Sequence, residues 1–184
     1  EAIQTVLENE TTEDVLRLMH LLSKGEASRS VAEQIRGIVD ELYAFFQESP
    51  AEAWQALPRR RPLDSDQLEA ALAALAAVEL PGNQHYVKAR SGDLEAAEAA
   101  DWETFLGRGL AAKILAGEEK YQRVVIPADV AAVYKPLIEH AKALLVGKIA
   151  DQTAATRGLL ARFDAAYRRI KLRQRGLRFD DVTR

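Results

Sequence analysis

Apolar side chains recur every three or four residues along most of this chain, which is the period of an amphipathic helix. The pattern is strongest in residues 31–46 and returns in residues 64–78 and 127–175. Few segments alternate with the two-residue period of a strand. We therefore predict an all-α fold, an irregular multi-helix domain that ends in one very long helix.

Capping residues mark the predicted helix starts. Asp64 precedes an Ala- and Leu-rich helix that extends to about Val78, and a carboxylate at this position accepts hydrogen bonds from exposed backbone amides. Ser49 is predicted to cap a short helix whose first residue is Pro50 and which carries Trp54.

The predicted organisation is a single helical domain of 184 residues. Residues 1–126 form a bundle of short helices, residues 127–175 form the long helix, and residues 176–184 form a turn. Within the bundle, residues 120–126 are expected to be an extended connector, because a lone strand has nothing to pair with. About 40 helical residues span roughly 60 Å. One end of the long helix should therefore project or depend on a partner for burial.

Composition narrows the class of protein further. The chain has no cysteine, which excludes disulfides and thiolate metal sites and fits a cytoplasmic protein. No apolar run reaches the roughly 20 residues that span a bilayer, so we expect no membrane partner. The three histidines lack the helical spacing of a metal-binding pair, and no catalytic or metal-binding set of residues is predicted.

Charge is unevenly distributed along the chain. The net charge is −3, but residues 157–184 hold nine Lys or Arg against three Asp, so this segment is +6 and the rest is −9. The run is either a solvated helix face or a surface that contacts DNA phosphates without sequence specificity. The candidate DNA-binding residues are Arg157, Arg162, Arg168, Arg169, Lys171, Arg173 and Arg175 in the helix and Arg59, Arg60 and Arg61 in a loop.

Other motifs have two interpretations each. Tyr121, Tyr134 and Tyr167 either stack on bases or pack in the core. Residues 107–112 match Gly-x-Gly-x-x-Ala, but that dinucleotide motif needs a preceding strand, and residues 102–106 are predicted to be helical. We therefore interpret the match as chance. No phosphate-binding loop of the Gly-x-x-x-x-Gly-Lys-Ser/Thr type is present.

Three segments together carry a family resemblance. The first is a basic helix containing Tyr167 that leads into Gly176-Leu177-Arg178-Phe179-Asp180-Asp181-Val182. The second is Glu41-Leu42-Tyr43 followed by Pro50-x-x-x-Trp54, and the third is Lys120-Tyr121 leading to Ile126-Pro127 and the long helix. This combination resembles the 1B subdomain of UvrD/RecB/AddA-type superfamily-one DNA helicases.

The resemblance implies an all-α insertion in the first RecA-like ATPase domain of a helicase, close to the DNA path. The turn with Phe179, Asp180 and Asp181 would re-enter that ATPase domain, with Phe179 packed in its core. From the residues alone, the two aspartates either begin a helix or bind Mg²⁺ together with phosphates. The implied partners are weakly and non-specifically bound DNA and the RecA-like domains of the same parent chain.

ATP and Mg²⁺ would be cofactors of the parent motor and not of this segment, which lacks the ATPase motifs. The parent would unwind DNA in repair or recombination, and many members of the AddA/RecB branch also carry an exonuclease. The alternatives are a helical scaffold that uses the long helix as a docking arm and a stand-alone helical enzyme. A phosphate-binding loop encoded upstream of Glu1 and an Asp-Glu motif encoded after Arg184 would distinguish the helicase from both.

Overall fold

The computed structural model describes residues 31–174, with the side chains of residues 33–173. The regular secondary structure of this part is helical apart from one small hairpin, so the predicted all-α class with a long last helix is confirmed. The elements are helices α1 (Val31–Glu48), α2 (Ser65–Ala77), α3 (Gln84–Glu98), α4 (Trp102–Gly107), α5 (Gly109–Leu115) and α6 (Ala128–Gln174), the 3₁₀ helix Ala51–Gln55, and strands β1 (Lys120–Tyr121) and β2 (Val124–Val125).

The chain divides into two compact units. Among the described residues, unit 1 joins residues 31–57 to residues 149–174, and unit 2 is residues 58–148. The long helix α6 belongs to both, because its residues up to Lys148 lie in unit 2 and those from Ile149 onward lie in unit 1. Each unit has its own hydrophobic cluster.

The core of unit 1 forms between α1, the 3₁₀ helix and the second part of α6. Aromatic rings dominate it: the Tyr43 ring lies 5.1 Å from that of Phe163 and 6.2 Å from that of Tyr167, both edge to face. Such pairs contribute about 0.5–1.5 kcal/mol each beyond the area they bury. The buried residues of this cluster are Ile35, Val39, Trp54, Leu159, Leu160 and Ala166.

The core of unit 2 forms where α2, α3, α4 and α5 meet the first part of α6. Its largest fully buried side chains include Tyr86, Phe105 and Tyr134. His140 of α6 joins this core through a ring contact with Trp102 at 4.8 Å. Its Nδ1 accepts a hydrogen bond from the backbone N–H of Leu63 at 3.0 Å, and burial lowers its pKa. The neutral imidazole is therefore the form that the fold favours.

One predicted helix start is confirmed and the other is wrong. Asp64 caps α2 through a complete capping box: the side chain of each of Asp64 and Gln67 accepts a hydrogen bond from the backbone N–H of the other. Ser49 does not cap the following segment: the residue at that position is Pro50, and no side chain supplies a cap. Instead, the backbone N–H of Ser49 donates to the carbonyl of Phe45, so this residue continues the end of α1.

The expectation of an extended connector at residues 120–126 is wrong. The chain folds back on itself there, and β1 pairs with β2 in an antiparallel ladder with Lys120 opposite Val125 and Tyr121 opposite Val124. The hydroxyl of Tyr86 donates to the carbonyls of Val124 and Val125 at 3.1 and 3.3 Å, which holds the hairpin against α3. The second half of the segment thus supplies the missing strand partner.

The hairpin turn gives a stability prediction. Gln122 and Arg123 both have positive φ, 49° and 70°, as a type I′ turn requires, but neither is glycine. A left-handed conformation costs a residue with a side chain about 1–2 kcal/mol. We expect Arg123→Gly to raise the free energy of unfolding by about 0.5–1 kcal/mol, measured by urea denaturation. Lys120→Gly, on the strand, is the control, and it should lower the free energy of unfolding. If Arg123→Gly lowered the free energy of unfolding as well, this account of the turn would be contradicted.

Candidate nucleic-acid interface

Six of the predicted DNA-binding residues lie on the part of α6 that belongs to unit 1. They are Arg157, Arg162, Arg168, Arg169, Lys171 and Arg173. On the opposite side of the same helix, Leu159, Leu160 and Ala166 are buried in the unit 1 core. The basic side chains are therefore confined to the outward side of this helix and to its flanks.

The helical period sorts these residues into two rows. Arg162, Arg169 and Arg173 follow one another at intervals of seven and four residues, which places them along one edge of the helix. Arg157, Arg168 and Lys171, at intervals of eleven and three, lie along the other edge. Each row extends over about 16 to 21 Å of the helix axis at 1.5 Å per residue.

The strip between the rows carries small side chains for most of its length. Ala154 and Ala165 are exposed there, and Gly158 and Ala161 are half-buried. Leu172 interrupts this series near the end of the helix, with 72% of its surface exposed. Side chains this short let another molecule approach the helix backbone closely while the longer basic side chains reach past it on both edges.

Contacts inside unit 1 hold two residues of one row, Arg168 and Lys171, in place. The hydroxyl of Tyr43 donates to Asp164 Oδ1 at 2.7 Å, and Nε of Arg168 lies 2.9 Å from Asp164 Oδ2. Burial raises the pKa of the Tyr43 hydroxyl, and the hydrogen bond to Asp164 raises it further. The phenol therefore remains a donor at neutral pH. Nζ of Lys171 lies 4.7 Å from the centre of the Tyr167 ring, in a cation–π contact.

The basic residues differ in how far the chain already neutralises them. Arg168 forms an ion pair with Asp164, one turn earlier on the same helix. Arg157, Arg169 and Arg173 have no ion-pair partner among residues 33–173, and the last two are exposed. Their charge is thus available to an external anion, and substituting them removes no salt bridge of the described chain.

The second predicted basic set belongs to unit 2. Arg59, Arg60 and Arg61 are exposed in the loop that precedes α2. Nη1 of Arg60 lies 2.6 Å from Glu139, which also binds Lys142 at 2.9 Å. The hydrogen bond from Lys142 and the charge of Arg60 hold the pKa of Glu139 below its usual value. The charge of Arg60 is therefore partly neutralised by Glu139.

The three tyrosines considered for base stacking have different positions. Tyr134 is fully buried, so base stacking is wrong for this residue. Tyr121 is half-buried against the ring of Tyr86 at 5.4 Å. Tyr167 is half-buried and stacks on Phe163, with their rings 5.8 Å apart. Tyr167 lies nearest the basic rows, beneath Lys171.

The Gly-x-Gly-x-x-Ala segment at residues 107–112 does not have the structure of a nucleotide-binding site. Helix α4 precedes it where the motif needs a strand, as predicted. The side chain of Asp93 accepts hydrogen bonds from the N–H groups of Leu110 and Ala111, at the start of α5. A carboxyl group thus occupies the position at which such a motif would bind phosphate. Sequence reasoning missed Asp93, because its hydrogen-bond partners are 17 to 41 positions away along the chain.

Several predicted residues lie outside the part of the chain that the structure describes: Arg175, Phe179, Asp180 and Asp181. Within residues 33–173, no group of three His, Asp or Glu side chains is arranged to hold a metal ion. Among the described helices, none combines the length and the apolar character that crossing a membrane demands.

Comparison with known proteins leaves the site to be interpreted from its own geometry. The chain matches no protein-family model, no curated protein and no solved structure.

Proposed function

We propose that this chain is a helical accessory domain that holds DNA by its phosphates for an ATP-dependent helicase or helicase–exonuclease of the UvrD/RecB/AddA type. The observation that carries the proposal is the pair of basic rows on the outward side of α6, in unit 1. Up to six cations lie along about 24 Å of helix there, and the phosphates of a DNA backbone form an extended anion that such a surface can neutralise.

The 1B-type assignment has support from the residues that carried the resemblance. Tyr43 and Trp54 belong to one of those segments and Tyr167 to another, and all three make ring contacts within unit 1. Tyr43 and Tyr167 are in ring contact, and Trp54 lies 5.4 Å from Phe45 of α1. In this proposal the motif residues build the scaffold that presents the basic rows, while the arginines make the contacts.

The proposal assigns no catalysis to the described residues. ATP and Mg²⁺ would be bound by RecA-like domains of a longer parent chain, with which this domain would be in contact. The function would belong to DNA repair or recombination in the cytoplasm. The role of the domain would be to hold DNA in place while the parent translocates.

Salt dependence of DNA binding tests the proposal. We expect the chain to bind a fluorescently labelled DNA in 50 mM salt, measured by anisotropy, and to lose about 10²–10⁴ in affinity by 200 mM because phosphate contacts release counterions. Two oligonucleotides of unrelated sequence should bind equally, since phosphate contacts carry no sequence information. Absence of binding at 50 mM, or an affinity that salt does not change, would contradict the proposal and favour a docking scaffold.

A further inference from the structure

A carboxyl group in the core of unit 2 joins three helices. The side chain of Asp93, in α3, is 2% exposed. Its Oδ2 accepts hydrogen bonds from the N–H of Leu110 at 2.9 Å, from the N–H of Ala111 at 3.3 Å and from the hydroxyl of Tyr134 at 2.9 Å. One oxygen atom thus connects α3 to the start of α5 and to α6.

The space around this carboxyl group is closed by backbone. Gly109, the first residue of α5, has a φ of +73°, and a Cβ built on it would lie only 1.9 Å from Asp93 Oδ1. The backbone of Gly109 therefore covers the second carboxyl oxygen. Movement of the start of α5 away from α3 would expose this carboxyl group to water.

The charged and polar groups around Asp93 do not fully offset the cost of burying its ionised carboxylate. Among the described residues, the charged and titratable groups facing the Asp93–Tyr134 pair are Arg108, Arg90 and Tyr121. Burial raises the pKa of Asp93 to about 6, while the hydrogen bonds from Tyr134 and the two amides, and the charge of Arg108, lower it by less. Burial also raises the pKa of Tyr134, so its hydroxyl keeps its proton and remains the donor.

We propose that Asp93 and the start of α5 form a proton-linked latch, in which the closed arrangement holds a proton that the carboxyl group releases when α5 opens away from α3. The proposal concerns unit 2 and is independent of DNA binding by unit 1. It makes opening of the start of α5 depend on pH between about pH 4 and pH 6.

The direction of the pH dependence follows from linkage. An aspartate in water has a pKa of about 3.9, below that of the closed latch. Below about pH 4 both states hold the proton, and opening is independent of pH. As the pH rises from about 4 to about 6, the open state loses its proton first, so the closed state becomes progressively less favoured. Above about pH 6 both states are ionised, and the closed state is favoured over the open state by a smaller, constant free energy.

Hydrogen exchange at the two amides bonded to Asp93 tests the latch. We expect the protection factors of Leu110 and Ala111, corrected for the intrinsic pH dependence of exchange, to fall about 100-fold between pH 4 and pH 7. In Asp93→Asn the fall should disappear, because the amide keeps an acceptor oxygen and has no proton to release. Protection that does not fall in the wild type, or that falls equally in the variant, would overturn the proposal.

Asp101→Asn is the matched control. Asp101 caps α4 from an exposed position, and its hydrogen bonds with Thr104 lower its pKa. Ionisation of Asp101 therefore stabilises the fold as the pH rises, and it does so at lower pH than the ionisation of Asp93. In Asp101→Asn the protection factor of Leu110 should therefore still fall between pH 4 and pH 7. The contribution of His140, whose lowered pKa likewise stabilises the fold as the pH rises, is present in every variant and cancels in the comparison with wild type.

A second measurement decides the matter if Asp93→Asn does not fold. The ¹³C shift of the Asp93 carboxyl carbon should titrate near pH 6 in the wild-type chain. Tyr134→Phe should move that midpoint upward, because it removes a hydrogen bond that lowers the pKa. A wild-type midpoint near the ordinary value of about 4, or one that Tyr134→Phe leaves in place, would overturn the latch.

Discussion

Gly109→Ala is expected to lower the free energy of unfolding by about 3 kcal/mol or more, although it adds only one methyl group. Two effects combine at this position. A positive φ costs a residue with a side chain about 1–3 kcal/mol, and here φ is +73°. The added Cβ would also lie 1.9 Å from Asp93 Oδ1, so that the carboxyl group or α5 has to shift. Overpacking of this kind typically costs a further 1–3 kcal/mol.

Urea denaturation of Gly109→Ala and Gly92→Ala shows whether the loss of stability is specific to Gly109 or follows from replacing any glycine by alanine. Gly92 lies inside α3, next to Asp93 in the sequence, and a Cβ there would meet nothing within 4 Å. Gly92→Ala should stabilise the chain by about 0.5–1 kcal/mol, because alanine is the better helix former. Equal stability changes in the two variants would contradict the structural role given to Gly109.

Neutralising Arg157, Arg169 and Arg173 together is expected to weaken DNA binding by about 100-fold or more at 100 mM salt. Each phosphate contact on duplex DNA contributes close to one power of ten in affinity at that concentration, through the release of counterions. These three residues have no ion-pair partner among residues 33–173, so their substitution by Gln leaves the described ion pairs of unit 1 in place. The free energy of unfolding, measured by circular dichroism, should therefore change little, while the DNA affinity measured by anisotropy falls.

The matched control has the same change in net charge at another place. Lys88, Lys120 and Arg123 are exposed residues of unit 2. Their combined substitution by Gln should weaken DNA binding several-fold at most, through the long-range field of the protein alone. An equal loss of affinity in both triple variants would show that net charge controls binding, and the rows on α6 would then have no special part in it.

Features that depend on near neighbours were predictable from the sequence. The start of α2 followed from Asp64 as its N-cap, and the structure shows that Gln67, three residues later, completes a capping box. The long helix followed from an apolar period that continues beyond Pro127. The basic character of its final part was also visible, because charges three, four, seven or eleven residues apart share a side of any helix.

Features that depend on distant partners were not predictable. Asp93 resembles a solvent-exposed helical aspartate until Tyr134, 41 positions away, and Gly109 are placed around it. The hairpin was missed for a different reason: its turn residues, Gln122 and Arg123, are not the Asn and Gly that usually announce a type I′ turn. Neutralisation of Arg60 by Glu139 likewise needs a contact across 79 residues.

The salt dependence of binding, compared between the wild-type chain and the Arg157, Arg169 and Arg173 triple variant, tests most directly whether α6 contacts DNA phosphates. The logarithm of the affinity should fall linearly with the logarithm of the salt concentration in both. The wild-type slope should be steeper by about 2 to 3, because each lost phosphate contact removes about 0.7 to 0.9. Identical slopes would contradict the account, since they would mean that these arginines release no counterions and that DNA binds elsewhere.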